Sequence, residues 1–111
     1  MNKIHLSEEA QSDLAEIQAY IAEELENPAA ASATVRKIVK DIDRLREYSL
    51  LGTPLSAVYD TKQDYRFLVT GNYLTFYRVV NHNVHISRVL YGRRDYLRVL
   101  LKDLQQEADT E

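Results

Sequence analysis

The chain has 111 residues, no cysteine, 14 Lys and Arg side chains against 17 Asp and Glu, and a formal net charge of −3 at pH 7. At this length we expect a single domain, because a second independent hydrophobic core would not fit. The lack of cysteine excludes disulfides, thiolate zinc sites and a cysteine nucleophile. No apolar run predicts a transmembrane helix or a signal peptide, so we expect a cytoplasmic protein.

The first half of the chain predicts a strand followed by two helices. Residues 2–6 alternate between polar and apolar side chains, as in a short strand. Ser7 follows as a helix N-cap, and Asn27 with Pro28 begins a second helix that is expected to end near Tyr48. The short break between the helices predicts an antiparallel hairpin. Each helix carries one apolar stripe, formed by Ala10, Leu14, Ile17, Ile21 and Leu25 in the first and by Ala31, Val35, Ile38, Ile42 and Leu45 in the second.

The second half predicts strands joined by tight turns. Residues 49–54 predict a turn, and the chain is expected to be irregular from there to Gln63. Strand-like runs follow at residues 65–70, 73–80 and 84–91, separated by turns at 71–72 and 81–83. Such short connections require antiparallel neighbours. Residues 93–104 predict a last helix, and residues 105–111 predict an acidic tail that frays.

This order of elements predicts an α+β domain over residues 1–104, with the succession β-α-α-β-β-β and a short C-terminal helix. The antiparallel helical hairpin would pack on one face of a mostly antiparallel four-stranded sheet. The other face of the sheet would then be free, and the aromatic and arginine side chains would lie on it or at its rim.

Charge is distributed unevenly along the chain. Residues 1–60 carry 6 basic and 11 acidic side chains, residues 61–102 carry 8 and 2, and the last nine residues add four acidic ones. Eight of the ten aromatic residues lie between Tyr59 and Tyr96. This asymmetry favours a recognition surface for an acidic or polyanionic partner in the second half, although arginines that merely decorate a solvated sheet would also produce it.

The candidate chemistry lies in the same basic and aromatic half. No metal-binding or nucleotide-binding motif is present, and His82 and His85 span a turn rather than one helix face, so we expect no metal and no cofactor. Cleavage of RNA without a metal would need an arginine to stabilise the phosphate and a tyrosine or histidine to move protons. Packing between tyrosines and surface arginines would explain the same residues equally well. The candidate catalytic residues, if the protein is a nuclease, are Arg66, Tyr77, His85 and Arg94.

Short motifs occur in a fixed order along nearly the whole chain. The sequence Leu6-Ser7-Glu8-Glu9-Ala10 follows the first strand, Asn27-Pro28 opens the second helix, and Gly52-x-Pro54 forms the turn after it. The motifs are most distinctive in Phe76-Tyr77-Arg78-Val79 and in Gly92-Arg93-Arg94-Asp95-Tyr96. In this ordered set the chain resembles the RelE/ParE toxin superfamily of bacterial type II toxin–antitoxin systems.

The resemblance implies a small growth-inhibiting toxin that is neutralised by a cognate antitoxin in a hetero-oligomer and that contributes to plasmid stabilization. ParE-like members inhibit DNA gyrase, whereas RelE-like members enter the ribosome and cleave mRNA. The residues that the resemblance implies for binding the target or the antitoxin are Arg78, Arg88, Tyr91, Arg93, Arg94 and Tyr96.

Three positions distinguish the two branches of the superfamily. The RNase branch has basic residues where this chain has Leu68 and Leu74, and a tyrosine where it has Leu100, although Arg66 and Arg94 match. A net charge of −3 also fits ribosome docking poorly, because ribosome binding depends on phosphate neutralisation. The sequence therefore favours a ParE-like toxin that is not an enzyme. The alternatives are a RelE-like, metal-free endoribonuclease that acts on the ribosome, and a member that has lost toxicity and only binds the antitoxin.

Overall fold

Residues 1–92 are described by the computed structural model, and in them two helices pack on one face of a five-stranded sheet. Strand order is β1-β5-β4-β3-β2, with β1 parallel to β5 and the other pairs antiparallel. The predicted α+β architecture is confirmed, whereas the helix at 93–104 and the tail at 105–111 lie outside the described residues. The elements are β1 (Lys3–Leu6), α1 (Glu8–Ala19), α2 (Pro28–Asp43), β2 (Thr53–Pro54), β3 (Arg66–Thr70), β4 (Tyr73–Val80) and β5 (Asn83–Tyr91).

Both helices begin at the predicted caps. The Ser7 hydroxyl accepts a hydrogen bond from the backbone N–H of Ala10 at 3.0 Å, and the Asn27 side chain accepts one from Ala30 at 3.1 Å. These bonds satisfy amide groups that the first turn of a helix leaves without an intrahelical partner. After α2 a 3₁₀ turn at Arg44–Arg46 ends the helical segment, two residues earlier than predicted.

The predicted apolar stripes are buried, or partly buried at Leu14 and Val35, except at the end of the first stripe. Ala10, Ile17 and Ile21 are buried, but Leu25 is 57% exposed. The reason is a π-helical turn at Tyr20–Glu24, in which the N–H of Leu25 bonds to the carbonyl of Tyr20 five residues earlier. A wider turn rotates the following residue off the stripe, so the four-residue spacing no longer brings Leu25 to the core.

Two-residue turns connect the three long strands. Thr70 pairs with Tyr73 across the first turn, and Val80 pairs with Asn83 across the second. The first residue of each turn, Gly71 or Asn81, has a positive φ, of 57° and 56° respectively. Glycine and asparagine are the residues that adopt this conformation most easily. The second turn is one residue shorter than predicted, because Asn83 belongs to β5.

The prediction of four strands is wrong by one. Thr53 and Pro54 form a short edge strand that pairs with Phe67 and Arg66 of β3. An edge strand tolerates proline because the N–H that proline lacks would face away from the sheet. Two residues are too few to show an alternating pattern, so the local sequence reads only as a turn.

The sheet carries apolar clusters on both faces. On the helical face, Tyr77, Val84 and Ile86 join the stripes of α1 and α2 in the main core. On the opposite face, Leu74 and Phe76 pack with residues that precede β3, including Leu55 and Tyr65. The expectation of a free second face is therefore wrong at the β3–β4 side, where residues 55–65 cover the sheet. Within residues 1–92, none of the helices is long and apolar enough to cross a membrane.

Candidate functional site

A groove of about 1220 Å³ opens between the helical hairpin and the ends of β4 and β5. Tyr73 and Tyr91 line it with their rings 5.6 Å apart and tilted by 54°. Tyr20 and Leu25, at the end of the first helix, contribute exposed apolar surface to its rim. Burial raises the pKa of the Tyr73 phenol, and the nearby Tyr91 and Tyr20 raise it further. We call this the tyrosine groove.

A buried ion pair anchors α1 to β5 beside the tyrosine groove. The Asp13 carboxylate accepts hydrogen bonds from Nε and Nη2 of Arg88 at 2.8 and 2.9 Å, and from the backbone N–H of Val89 at 2.9 Å. β5 contains an extra residue here, since Tyr77 pairs with Ile86 whereas Phe76 pairs with Arg88. Bulges of this kind re-aim side chains. The predicted binding residue Arg88 is thus held by an internal carboxylate, although it also lines the groove.

Arg66 and Tyr77 meet around the backbone of Gly52. The Arg66 guanidinium donates to the Gly52 carbonyl at 2.8 Å, and the Tyr77 hydroxyl accepts from the Gly52 N–H at 2.8 Å. Tyr77 is fully buried, and burial raises the pKa of its phenol despite the opposing effects of the Gly52 hydrogen bond and of Arg66. Both side chains therefore hold the start of β2 in place. A buried phenol with a raised pKa, such as that of Tyr77, is also poorly suited to transferring protons to a substrate.

Arg78 and His85 lie on the sheet face opposite the helices. They are register partners on β4 and β5. The Arg78 guanidinium lies 5.4 Å from the centre of the Tyr65 ring, and the exposed His85 ring stacks on His5 of β1 at 5.0 Å. A cleft of about 350 Å³ is lined by these four side chains among others. We call it the histidine cleft.

The structure thus separates the predicted site residues into three places. Arg66 and Tyr77 lie at Gly52, His85 and Arg78 lie in the histidine cleft, and Arg88 and Tyr91 lie in the tyrosine groove. The remaining residues of the predicted set, Arg93, Arg94 and Tyr96, lie outside the described residues. Among the nuclease candidates that are described, Arg66 and Tyr77 face the helical side of the sheet and His85 faces the other.

Sequence reasoning overlooked His5 and Asp13. Asp13 lies three residues after Ala10 and four before Ile17, and a carboxylate on an apolar helix stripe indicates a buried partner. The alternation of polar and apolar residues in β1 is consistent with His5 on the outer face of the strand. Only the pairing of β1 with β5 brings it next to His85. Across residues 1–92, no cluster of three or more His, Cys, Asp or Glu side chains could hold a metal ion.

Comparison with solved structures places the fold among toxin–antitoxin proteins. A chain from the chromosomal ParDE system of P. aeruginosa superposes with a TM-score of 0.69 at 20% identity, covering 82% of this chain and 96% of that one. A chain from the RelBE2 toxin–antitoxin complex of Mycobacterium tuberculosis gives a TM-score of 0.53 at 21% identity, covering 81% and 96%. At these identities the similarity concerns the fold alone.

The family is established by sequence. No curated protein sequence gives a significant match. The family model described as "ParE toxin of type II toxin-antitoxin system, parDE" matches residues 4–96, which covers the strands and helices described above except for the first residue of β1. The chain therefore belongs to the ParE toxin family of type II toxin–antitoxin systems.

Proposed function

We propose that this protein inhibits bacterial growth by acting on DNA gyrase, without catalysing a reaction, and that a cognate antitoxin neutralises it. The main support for an action without catalysis is the burial of two positions at which the RNase branch has basic residues. Leu68 is 8% exposed in the core beneath the helices, and Leu74 is 9% exposed in the cluster on the opposite face. A charged side chain at either position would lose its hydration without gaining a phosphate.

The surroundings of Arg66 and Tyr77 support the same choice. Both bind the backbone of Gly52, so neither is directed at a substrate. Of the four nuclease candidates, only His85 is exposed among residues 1–92. It lies on the opposite face of the sheet from Arg66 and Tyr77, so these three residues do not form one catalytic set. Binding to a target, in contrast, requires only complementary surface and charge.

Purified full-length protein is expected to inhibit gyrase and to leave mRNA intact. Relaxed plasmid incubated with gyrase and ATP should remain relaxed when the toxin is added, and the antitoxin should restore supercoiling. The double variant Arg93→Ala/Arg94→Ala removes two predicted binding charges and should weaken inhibition about tenfold or more, since hydrogen bonds to charged groups contribute about 1.5–3 kcal/mol. The matched control is Arg36→Ala/Lys37→Ala, which removes two adjacent exposed charges from α2.

The opposite result would identify the RelE-like alternative. Programmed ribosomes incubated with the toxin would then yield prompt, codon-spaced mRNA fragments while gyrase activity stayed normal. Inhibition that responds equally to the two double variants would show that the predicted binding arginines do not contact the target.

The antitoxin is proposed to dock in the tyrosine groove. Its lining combines aromatic rings and apolar side chains with the ends of two helices, a surface that suits the apolar face of an amphipathic helix. Tyr73 and Tyr91 bring part of the aromatic half of the chain into this lining, whereas the charge of Arg88 is already paired with Asp13.

Replacing Leu25 by aspartate should weaken antitoxin binding while leaving the toxin folded. Leu25 is 57% exposed at the groove rim, so it has little packing to lose, and burying a leucine contributes about 1.5–3 kcal/mol. We expect the Kd to rise about tenfold or more in calorimetry. The matched control is Leu50→Asp, because Leu50 is 63% exposed and does not line the groove. Equal losses in the two variants would contradict this docking site.

A further inference from the structure

The helical wall of the tyrosine groove is acidic. Residues 6–35, which form α1, the π-helical turn and the start of α2, contain seven acidic side chains and no lysine, arginine or histidine. All the groove-lining residues of the helical hairpin come from this stretch. Six of the seven acidic residues are exposed, and only Asp13 is buried. A partner in the groove therefore meets the negative field of this wall.

The opposite wall of the groove does not offset this charge. It is formed by β4, β5 and the turn before β4, and the basic residue that it contributes is Arg88. The Arg88 guanidinium donates to the Asp13 carboxylate at 2.8 and 2.9 Å, so the two side chains together are neutral. Among the charged residues that line the groove, this pairing leaves the carboxylate of Glu16.

Glu16 is exposed on α1 and forms no ion pair within residues 1–92. Along an α-helix, residues three and four positions apart are within reach of each other. For Glu16 these neighbours are uncharged or acidic, namely Ser12, Asp13, Ala19 and Tyr20. The part of the chain that the structure describes therefore leaves the Glu16 carboxylate to a cation from outside it.

The basic residues of the helical hairpin do not line the groove. Residues 36–46 contain five basic and two acidic side chains. None of these residues lines the groove, to which α2 contributes Ala30 and Thr34 near its start. Charge along the hairpin is thus separated, and its acidic part adjoins the apolar lining of the groove. An apolar groove with one acidic border suits an amphipathic helix whose apolar face is bordered by cations.

We infer that the antitoxin helix that docks in the tyrosine groove carries lysine or arginine next to its apolar face, and that one of these cations pairs with Glu16. The inference rests on the antitoxin docking proposed above and adds the charge of the segment that docks. This charge is opposite to the one that the basic half of the sequence favours in a partner, because Arg88 is already paired with Asp13. Glu16 selects the partner by charge, and the apolar lining of the groove holds its apolar face.

Charge reversal at Glu16 tests the sign of the docked segment. The probe is the antitoxin, co-produced with the full-length toxin and then separated from it. In calorimetry at low salt, Glu16→Lys should raise the Kd about fivefold and Glu16→Gln should raise it less. The increase should fade as added salt screens the pair. The matched control is Glu47→Lys, which changes the net charge equally at an exposed position that does not line the groove. An unchanged or lower Kd for Glu16→Lys would overturn the inference.

A compensating change in the antitoxin identifies the cation that pairs with Glu16. The lysine and arginine residues of the antitoxin are replaced one at a time by glutamate. One of these variants should bind the Glu16→Lys toxin more tightly than it binds the wild-type toxin, because the reversed pair again has opposite charges. If every such variant failed to recover affinity, the inference would be wrong.

A neutral change at the groove rim separates this inference from the docking proposal on which it rests. Leu25→Ala removes apolar contact from the rim without changing the charge. If Leu25→Ala weakens antitoxin binding and Glu16→Lys does not, the antitoxin docks in the groove without a cation at Glu16, and only the inference fails. If neither variant weakens binding, the docking site itself is wrong and the inference fails with it.

The stability of the isolated toxin shows whether the chain itself supplies the cation. Residues 93–104 carry four basic side chains, so this segment is another candidate occupant of the groove. If the antitoxin is the occupant, the unfolding midpoint of Glu16→Lys without antitoxin should be no lower than that of Glu47→Lys. A lower midpoint for Glu16→Lys at low salt that recovers at high salt would overturn the assignment of the cation to the antitoxin.

Discussion

Asp13→Ala is expected to lower the free energy of unfolding by about 3–5 kcal/mol, the cost of removing one partner from a buried ion pair. The Asp13 side chain is 7% exposed and receives three hydrogen bonds, two from Arg88 and one from the Val89 backbone. Alanine would leave a guanidinium that is 17% exposed without this carboxylate, and an N–H group without its acceptor. The loss should appear as a lower urea midpoint for the isolated toxin, and Asp13→Asn should be intermediate because it retains one acceptor oxygen.

The matched control for Asp13 is Asp43. Asp43 also pairs with an arginine, Arg46, at 2.6 Å, but the two side chains are 64% and 47% exposed. Exposed pairs of this kind contribute about 0–1 kcal/mol, so Asp43→Ala should hardly move the midpoint. If both variants lost the same stability, burial could not be the reason for the effect at Asp13.

Local patterns in the sequence predicted the elements whose causes are local. Ser7 and Asn27 cap the helices because their side-chain oxygens accept from amides three residues later. Gly71 and Asn81 mark the turns because those positions require a positive φ. The strand directions at β3, β4 and β5 follow from the short turns alone.

The candidate sites depend instead on contacts between residues far apart in the chain. Asp13 and Arg88 are 75 residues apart, and His5 meets His85 only because β1 pairs with β5 in parallel. Alternation of apolar residues tells which face a side chain occupies but not which strand lies next to it. The fold class was therefore predictable, while the division of the arginines among three places was not.

This division shows that some of the cations in residues 61–102 serve the fold itself. Arg66 and Arg88 both contact acceptors inside the fold, so part of the positive charge of residues 61–102 stabilises the structure rather than a partner. Arg78 lines the histidine cleft, and Arg93 and Arg94, which are proposed above to bind the target, lie outside the described residues. We therefore expect surface recognition to depend on fewer cations than the sequence contains.

Gly52→Ala should destabilise the protein by about 1–3 kcal/mol or more, the usual cost of forcing an extra methyl group into a packed interior. A Cβ atom at Gly52 would lie 2.7 Å from Cε1 and from the hydroxyl of Tyr77, and 2.8 Å from the Phe67 carbonyl. The Phe67 carbonyl is sheet backbone and Tyr77 is fully buried, so neither can move away cheaply. Thermal unfolding would measure the loss. Gly71→Ala is the control, since nothing lies within 4 Å of its Cβ and only its φ of 57° opposes the change, at about 1–2 kcal/mol.

Tyr77→Phe tests whether the Tyr77 hydroxyl is the cause. Alone it should cost about 1–3 kcal/mol, because the buried Gly52 N–H loses its acceptor. Combined with Gly52→Ala it should cost less than the sum of the two single losses, because one of the three close contacts disappears.

The Tyr77 hydroxyl should also make the stability of the protein depend on pH. Burial raises the pKa of Tyr77, so its contribution to stability is fully present below the ordinary tyrosine pKa of about 10 and is lost as the pH rises through the higher pKa of the folded state. Tyr77→Phe should therefore lose less stability in alkali than the wild type. The hydroxyl would be shown not to hold Gly52 in place if the losses of the two single variants were strictly additive and if Tyr77→Phe had the same stability profile in alkali as the wild type.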